Sequence, residues 1–325
     1  MPVTTSAVAD PDTRQYAAAT TGCGLLERSD LGRLALTGTE AAAYLDGQVT
    51  NAVDGLTPGA GVYAAFLTPK GRMLGDLRVL RTDQELLLVT ERATLQALFD
   101  RIRGTLVGFD AELHKRTLET AHFALAGARA REVAQAETLP EREHASLEVE
   151  LAGISALAVA TDVGLDLICA ADGCAALVAA LAERGATPVD EEVFECLRIE
   201  SGRPRWGAEL DETVIPEEAG LNERAVDFEK GCYVGQETVA RLHWKGKPNR
   251  HLRGLELAEA APPGAELSSG ERAVGRLSSV AQSPRVGAVG LALIRREVAL
   301  GDPVEVAGAG QARTVELPFV ERLAE

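Results

Sequence analysis

Residues 230–237 read Lys-Gly-Cys-Tyr-Val-Gly-Gln-Glu, a segment in which Cys232 stands between two glycines. The glycines indicate a turning backbone rather than the interior of a strand or helix. Residues 236–241, Gln-Glu-Thr-Val-Ala-Arg, have the composition of a helical turn with an acid near its start. The thiol is therefore predicted to lie near a helix N-terminus, where the helix dipole and the ammonium of Lys230 would both favour the thiolate.

The other cysteines give no sign of a disulfide framework or of a metal site. They are Cys23, Cys169, Cys174 and Cys196. No Cys-x-x-Cys pair occurs and the total of five is odd, which argues against paired disulfides and against a four-thiolate metal site. We predict that these four are small buried residues in a reducing compartment and bind no metal. Spacing alone leaves Cys232 equally consistent with a reactive and with a structural thiol.

Composition and charge exclude several classes of protein. The chain has 325 residues, 46% of them hydrophobic, and a formal net charge of −16, so two or three folded domains are expected. So acidic a chain does not suit a broad nucleic-acid surface, which needs lysine and arginine to neutralise phosphates. No apolar run approaches the roughly 20 residues that span a bilayer. Residues 1–21 lack the basic start and apolar core of a secretory signal, so we expect a flexible tail and a cytoplasmic protein.

Two segments repeat the same order of predicted elements. Residues 77–104 are predicted to form a hairpin followed by a helix that ends at a glycine, and residues 154–185 repeat two strands and a helix closed in the same way. The resemblance is one of element order and not of residues. We therefore expect an α+β region over 22–249, made of two similar halves at about 22–120 and 121–249.

A further helix and a C-terminal domain complete the predicted architecture. Thr187 and Pro188 are typical of a helix start, because a capping residue is followed by proline at the first helical position, and Asp190 can complete a capping box. After residue 250, short alternating strands are interrupted by proline and glycine turns. This texture predicts a small antiparallel barrel or sandwich over residues 250–325.

The segment at 230–237 resembles the signature of the YgfZ family of folate-binding proteins, a branch of the glycine cleavage T-protein (aminomethyltransferase) superfamily. Residues 197–204 (Leu-Arg-Ile-Glu-Ser-Gly-Arg-Pro), 215–221 (Ile-Pro-Glu-Glu-Ala-Gly-Leu) and 71–77 (Gly-Arg-Met-Leu-Gly-Asp-Leu) also resemble superfamily segments, in the expected order. The resemblance covers roughly residues 25–320. It implies an α+β fold of two ferredoxin-like halves and a C-terminal β-barrel, with tetrahydrofolate held centrally and Cys232 as the functional cysteine.

Two carboxylates are candidates for folate recognition and catalysis. Glu200 is predicted in the last turn of its helix, where the dipole disfavours an anion by roughly 0.3–1 kcal/mol, and a carboxylate there could accept both donors of a pterin edge. The Glu of this Arg-x-Glu-x-Gly segment recognises the pterin in the superfamily, so the resemblance implies that role for Glu200. Asp76 resembles the catalytic aspartate of the T-protein, although Gly75 replaces the first acid of the Asp-Asp pair. The alternatives are an exposed Glu200 paired with an arginine and a water-facing Asp76.

The remaining candidates are basic, aromatic or polar. Arg203, Arg205 and Trp206 follow Glu200 and could stack on and pair with an aromatic ligand that carries carboxylates. Residues 241–253 contain five Lys or Arg, two His and no acid, so this segment either holds an anion, such as a folate tail, RNA or an acidic partner, or is a solvated linker. Three residues in or after the signature complete the folate-binding set: Tyr233, Gln236 and Arg241.

Three functions are consistent with these residues. The first is a tetrahydrofolate-binding accessory protein for iron–sulfur cluster assembly or repair, in which Cys232 with Lys230 carries out a redox or sulfur-handling step. For this function the resemblance implies that the partners are iron–sulfur enzymes and their assembly machinery. It also implies a connection with enzymes of tRNA modification. The second is a tetrahydrofolate-dependent, aminomethyltransferase-like one-carbon transferase that acts through Asp76. The third is a non-catalytic scaffold that docks RNA or an enzyme through residues 241–253.

Overall fold

The computed structural model describes residues 7–320. Within that range the chain forms short and medium α-helices, none of which is long and apolar enough to cross a membrane. The helices are α1 (Thr13–Thr21), α2 (Ala41–Asp46), α3 (Arg92–Thr105), α4 (Ala130–Val133), α5 (Cys174–Glu183), α6 (Glu191–Glu200), α7 (Asn222–Ala225) and α8 (Gln236–Lys245).

The strands of the described chain fall into two open sheets and one barrel. In chain order they are β1 (Gly24–Glu27), β2 (Gly32–Thr37), β3 (Gly61–Leu67), β4 (Met73–Arg81), β5 (Leu86–Thr90), β6 (Glu112–Lys115), β7 (Thr120–Ala126), β8 (Ser146–Leu151), β9 (Ile154–Ala160), β10 (Gly164–Ala170), β11 (Thr187–Pro188), β12 (Arg250–Leu257), β13 (Glu266–Ser269), β14 (Arg272–Ser283), β15 (Gly287–Arg295), β16 (Pro303–Val306) and β17 (Gly310–Val315).

The first sheet is antiparallel and has the strand order β3-β4-β5-β2-β6. The predicted hairpin is β4–β5, and the predicted helix after it is α3, which buries Leu98 and Ile102 against the sheet. These residues lie four apart on one helical face, which is the spacing that an amphipathic helix requires. The apolar pattern of residues 77–104 therefore predicted this part of the fold correctly.

The second sheet has the order β11-β1-β7-β10-β9-β8 and contains the predicted strands β9 and β10, followed by α5. The first half nevertheless contributes a strand to this second sheet, because β1 at residues 24–27 pairs along its whole length with β7. The faces of the two sheets meet in a cluster of aliphatic side chains that includes Leu80 and Val89 from the first sheet and Val159 and Ile168 from the second.

The C-terminal strands form a closed barrel with the order β12-β15-β14-β13-β16-β17, which confirms the predicted barrel. Inward and outward side chains alternate along its strands, as in β16, where Val304 and Val306 are buried and their neighbours are exposed. The chain is therefore an α+β protein with a C-terminal β-barrel, as the sequence predicted.

Two local predictions are corrected by the structure. Residues 7–21 are not a flexible tail: α1 is capped by the Asp12 side chain and buries Tyr16 and Ala19, while Ala9 exchanges backbone hydrogen bonds with β14. Residues 1–6 lie outside the described range. The segment at Thr187–Pro188 does not start a helix but pairs with β1 as β11, and α6 begins after Asp190. A proline that follows a β-region residue suits a short edge strand as well as a helix start.

Candidate functional site

A central cavity of about 260 Å³ lies where the two sheets, α6 and the loop after α6 meet. Its walls contain an unusual number of ionisable side chains together with a few apolar ones such as Leu31, Val89 and Phe194. The polar side chains in its walls include Tyr63, Asp76, Arg78, Glu91, His122, Glu143, His144, Asp166, Glu195, Arg198, Arg203 and Arg205.

Asp76 projects into this cavity from the middle of β4 and is 9% exposed. The Tyr63 hydroxyl, on the neighbouring strand β3, donates to Asp76 Oδ2 at 2.7 Å, whereas Oδ1 is buried and has no hydrogen-bond partner among the described residues. Burial raises the pKa of the Asp76 carboxyl, although the hydrogen bond from Tyr63 opposes that shift. Burial likewise raises the pKa of Glu91 nearby, despite the cations of Arg28 and Arg205.

A second buried carboxylate, Asp166 on β10, is held by two basic side chains. Arg78 Nη1 lies 2.6 Å from Asp166 Oδ2, and His122 Nε2 lies 3.1 Å from the same oxygen. Burial alone would raise the pKa of Asp166, but Arg78 and His122 bring it well below its usual range. His122 is fully buried, and burial lowers the pKa of its imidazole. Asp166 is thus an anion at physiological pH in the cavity wall.

The α6 side of the cavity is an ion-pair network. Glu195 Oε1 lies 2.7 Å from Arg198 Nη2 and 3.3 Å from Arg205 Nη2. Burial raises the pKa of Glu195, but its hydrogen bonds and its attraction to Arg198 lower it by more. Arg198 also pairs with Glu209 at 3.1 Å, so α6 is tied to the loop that follows it. These groups fix one wall of the cavity.

Glu143 forms the opposite rim together with two arginines. Its carboxylate lies 3.2 Å from Arg203 Nη2 and 2.6 Å from Arg224 Nη2. Arg203 Nε also pairs with Asp162 at 2.9 Å. His144, next in the chain, is buried, and burial lowers its pKa to about 4. The imidazole is therefore neutral at physiological pH, and the rim beside it is lined by charged pairs.

Of the residues predicted from the sequence, Asp76, Arg203 and Arg205 line the cavity. Glu200 does not. It is 2% exposed and accepts hydrogen bonds from the Tyr16 hydroxyl at 2.8 and 2.9 Å, from Ser283 and from the Cys196 thiol. Its carboxylate is thus satisfied by donors from α1, α6 and the barrel, and the structure gives it the role of joining these three elements.

The signature segment also lies outside the cavity wall. The Lys230 side chain is 3% exposed, donates to the backbone carbonyls of Asp46, Val49 and Asn51, and pairs with the Asp46 carboxylate at 3.2 Å. Burial lowers the pKa of Lys230, and Asp46 opposes that shift. The ammonium is thus engaged by the 46–51 loop, which corrects the expectation that it serves the thiol. Cys232 itself is exposed, unlike the other four cysteines.

The remaining predicted residues surround that segment. Tyr233 is buried in an apolar cluster against which Trp206 packs, and neither contributes to the cavity wall. Gln236 and Arg241 belong to α8, which starts after Gly235 in the left-handed region at φ +88°. A Cβ at Gly235 would lie 2.6 Å from the Thr68 carbonyl oxygen, so the turn before α8 requires glycine. The predicted helix start is therefore correct, but these two side chains are away from the cavity.

Sequence reasoning missed Tyr63, Arg78, His122 and Asp166. Each is a polar residue between apolar neighbours on its strand: Asp166, for example, follows Leu165 and precedes Leu167 and Ile168. Because ionisable groups are almost never buried without a partner, such interruptions of apolar runs on different strands are a signal for a shared polar site. The signal identifies candidates, but the strand order is needed to bring them together.

Comparison with known proteins places both parts of the chain in the same family. Residues 4–230 match the GCVT N-terminal domain, and residues 250–321 match the glycine cleavage T-protein C-terminal barrel domain. The chain is 31% identical over 345 residues to an aminomethyltransferase of Geobacillus kaustophilus, covering 99% of this chain and 93% of the relative. It is also 31% identical over 322 residues to an aminomethyltransferase of Moorella thermoacetica, covering 92% and 87%.

The fold is similar to that of a solved relative. The glycine cleavage system aminomethyltransferase T from Bartonella henselae superposes with a TM-score of 0.84 at 23% sequence identity, and the match covers 95% of this chain and 89% of that one. At this identity the likeness concerns the fold. It agrees with an α+β fold that carries a closed C-terminal β-barrel.

Proposed function

Because the chain belongs to the glycine cleavage T-protein family, whose N-terminal and barrel domains it contains in order, we propose that it binds tetrahydrofolate in the central cavity and transfers a one-carbon unit as an aminomethyltransferase does. The observation that carries this proposal is the Asp76–Tyr63 pair, a buried carboxyl with one oxygen held at 2.7 Å and the other unpartnered among the described residues. Carboxyls with a raised pKa in a cavity are typical of catalytic sites.

The cavity fits part of a folate molecule. Its volume of about 260 Å³ is somewhat below the roughly 300–1,000 Å³ of pockets that enclose a whole drug-sized ligand, so it suits the bicyclic head, with the tail outside. Asp76 Oδ1 and His122 Nδ1 are buried without a partner among the described residues. Buried polar atoms nearly always have partners in the functional state, and a polar heterocycle would supply them.

Asp166 is the residue best suited to hold the pterin edge. It is anionic, buried in the cavity wall and fixed by Arg78 and His122. Because Arg78 and His122 both contact Oδ2, Oδ1 is the oxygen that would accept a donor of the pterin edge, either N3–H or the 2-amino group. This proposal moves the role that the sequence gave to Glu200 onto Asp166.

Asp76 would act at the reacting end. Tetrahydrofolate supplies the secondary amine nitrogens that accept the one-carbon unit. The raised pKa of Asp76 makes its free Oδ1 a better proton carrier than an ordinary aspartate oxygen, while Tyr63 keeps the carboxyl in one orientation through Oδ2. The ionised form stabilises positive charge that develops in the cavity. Because Asp76 is buried, the electrostatic interactions of its carboxyl are stronger than they would be in water.

Gly75, which stands where the T-protein carries another acid, does not weaken this assignment. A Cβ at Gly75 would lie 3.1 Å from the Leu98 side chain of α3. Neighbouring residues on a strand point to opposite faces, so an acid at position 75 would point toward α3 and away from Asp76. The glycine therefore relieves packing without removing a group from the cavity.

The proposed reaction is tested by formation of methylenetetrahydrofolate from an aminomethylated donor with purified protein. Asp76→Asn should lower kcat by roughly 10²–10⁴-fold, the usual contribution of a positioned acid or base. Asp100→Asn, which removes an exposed carboxylate from α3, serves as a matched control and should leave the rate unchanged. If wild-type protein forms no product, the transferase proposal is wrong.

A second candidate function is supported by one specific observation. Cys232 is the exposed cysteine of the five and lies in the segment that resembles the YgfZ signature. We therefore also propose a folate-dependent role in iron–sulfur cluster assembly or repair, with iron–sulfur enzymes and their assembly machinery as partners and residues 241–253 as a contact for them or for RNA. In that segment Trp244 is 71% exposed.

This second function predicts a phenotype that the first does not. In a strain that lacks the gene, Cys232→Ser should fail to restore iron–sulfur enzyme activity, whereas Cys174→Ser should restore it. Full complementation by Cys232→Ser would remove the role of the cysteine. Complementation that instead depends on Asp76 would favour the transferase.

A further inference from the structure

His144, in the wall of the central cavity, has a backbone conformation that residues with a side chain rarely adopt. Its φ is +69°, in the left-handed region. Two hydrogen bonds hold this backbone in place: the His144 N–H donates to the Ala160 carbonyl at 2.9 Å, and the Ala160 N–H donates to the Ala145 carbonyl at 2.8 Å. Strain of this kind persists where the surrounding structure fixes it, and it is concentrated at ligand-binding and catalytic sites.

The imidazole of His144 has a ring nitrogen that requires a ligand. The residue is 7% exposed, and its Nδ1 is buried with no hydrogen-bond partner among the described residues. Its Nε2 lies 3.6 Å from Glu143 Oε1, and a carboxylate facing one nitrogen favours the tautomer that carries the proton there. Nδ1 then presents a lone pair. Buried polar atoms nearly always have a partner in the functional state, so Nδ1 requires an N–H or O–H donor from a ligand.

Two carboxyls in the same cavity wall favour a ligand group that can carry positive charge. Glu91 occupies the N-cap position of α3, yet its side chain makes no capping hydrogen bond and instead lines the cavity with Asp76. Burial chiefly raises the pKa of Glu91, and repulsion from Asp76 adds to the shift, although Arg28 and Arg205 oppose it. A cation near these carboxyls would relieve their repulsion. An amine is both such a cation and a hydrogen-bond donor.

We propose that His144 Nδ1 accepts a hydrogen bond from the amino group of the aminomethylated donor, the group that leaves as ammonia. The inference rests on the proposed transferase function and adds the residue that recognises the leaving amine. In that reaction the methylene carbon forms bonds to two folate nitrogens, and its bonds to the donor's carrier atom and to the amine nitrogen break. Of the two protons that the folate nitrogens lose, one goes to the carrier atom and the other to the amine. A neutral imidazole holds this amine without repelling its positive charge.

The test is inhibition of methylenetetrahydrofolate formation by ammonium chloride, with equal sodium chloride as the salt control. His144→Gly, which suits the left-handed backbone, should raise the inhibition constant for ammonium roughly tenfold, the effect of one hydrogen bond to a charged group, and leave the affinity for tetrahydrofolate unchanged. His144→Asn keeps an acceptor on a side chain that tolerates this conformation and should retain most of the ammonium inhibition. Ala152→Gly, at an exposed turn residue with φ +51°, is the matched control and should change neither constant.

A measurement on the wild type keeps the inference testable if a variant does not fold. Ammonium chloride added to the protein with tetrahydrofolate bound should shift one imidazole nitrogen resonance, assigned to His144 by its absence from the spectrum of His144→Asn. No shift of that resonance would overturn the inference, and so would an equal loss of tetrahydrofolate affinity in His144→Gly, which would make the role structural. If wild-type protein forms no methylenetetrahydrofolate, the proposed function fails as well; if it does and ammonium inhibits His144→Gly as strongly as wild type, only the amine site fails.

Discussion

Tyr63 and Asp76, on neighbouring strands of the first sheet, share a buried hydrogen bond of 2.7 Å between the hydroxyl and Oδ2. The bond occupies one carboxyl oxygen and leaves the other without a partner among the described residues. Ionisation of a buried carboxyl of this kind destabilises the folded protein. Residues that lower stability in this way are found where they serve function.

Asp76→Asn should therefore stabilise the protein while inactivating it. The folded-state pKa of Asp76 is raised by burial, so the stability that its protonated form contributes is fully present below the unfolded pKa of about 3.9 and is lost as pH rises through the folded pKa. At pH 7 the variant should gain roughly 0.5–2 kcal/mol. Urea denaturation at pH 7 and pH 3.5 measures this, and the gain should shrink at the lower pH. A less stable variant at pH 7 would contradict the account.

Arg78→Met should be strongly destabilising, because it leaves the Asp166 carboxylate buried without its nearest cation. Removal of one partner of a buried pair typically costs about 3–5 kcal/mol. Arg78 and His122 lower the pKa of Asp166 against the effect of burial. The stability that the Arg78–Asp166 ion pair contributes is therefore present above the unfolded pKa of the aspartate and is lost as pH falls through its folded pKa. Arg313→Met, at an exposed pair, should cost no more than about 1 kcal/mol. Equal losses in thermal unfolding would refute this.

Tyr16→Phe removes a donor to both oxygens of the buried Glu200. A hydrogen bond to a charged group contributes roughly 1.5–3 kcal/mol, so the free energy of unfolding should fall by about that amount. Tyr44→Phe is a matched comparison, because the Tyr44 hydroxyl bonds only neutral groups, Thr105 and the Ile102 carbonyl, and should cost about 1 kcal/mol. The ligand affinity of Tyr16→Phe should stay as in wild type, since Glu200 does not line the cavity; a selective loss of affinity would restore the role of Glu200 in pterin recognition.

Cys232 should be the one rapidly labelled thiol of the native protein. It is exposed, whereas Cys23, Cys169 and Cys196 are buried, and burial raises the pKa of Cys23 to about 11, which suppresses its thiolate. Reaction with a chromogenic disulfide should release about one equivalent in the fast phase and five after denaturation. Cys232→Ser should abolish the fast phase. A fast phase that persists in this variant would show that another thiol is accessible.

The fold was predictable where residues repeat with a clear period. Local apolar periodicity predicts three of these features: the hairpin β4–β5, the helix α3 and the alternation along the barrel strands. Tertiary contacts reinforce each of them. The N-terminal helix was missed because its stability depends on partners far along the chain: Tyr16 bonds Glu200, and Ala9 joins β14. Nothing within residues 7–21 indicates these contacts.

The site was only partly predictable. Asp76 was identified because its segment resembles a known motif, and Arg203 and Arg205 because they follow Glu200 closely. Helical position explains why Glu200 lies outside the cavity wall: it comes five residues after Glu195, about 140° further around α6, so of these two acids it is Glu195 that faces the cavity. Asp166 and Arg78 come from different sheets, and their proximity depends on how the sheets pack, which local sequence does not specify.

The most direct test of the central claim is titration of tetrahydrofolate into wild-type protein, Asp166→Asn and Glu200→Gln, each first shown to be folded by circular dichroism. We expect saturable binding of one ligand per wild-type chain, a loss of roughly tenfold or more in affinity for Asp166→Asn, and wild-type affinity for Glu200→Gln. Absence of binding to the wild type, or unchanged affinity of a folded Asp166→Asn variant, would contradict the assignment of the central cavity as the folate site.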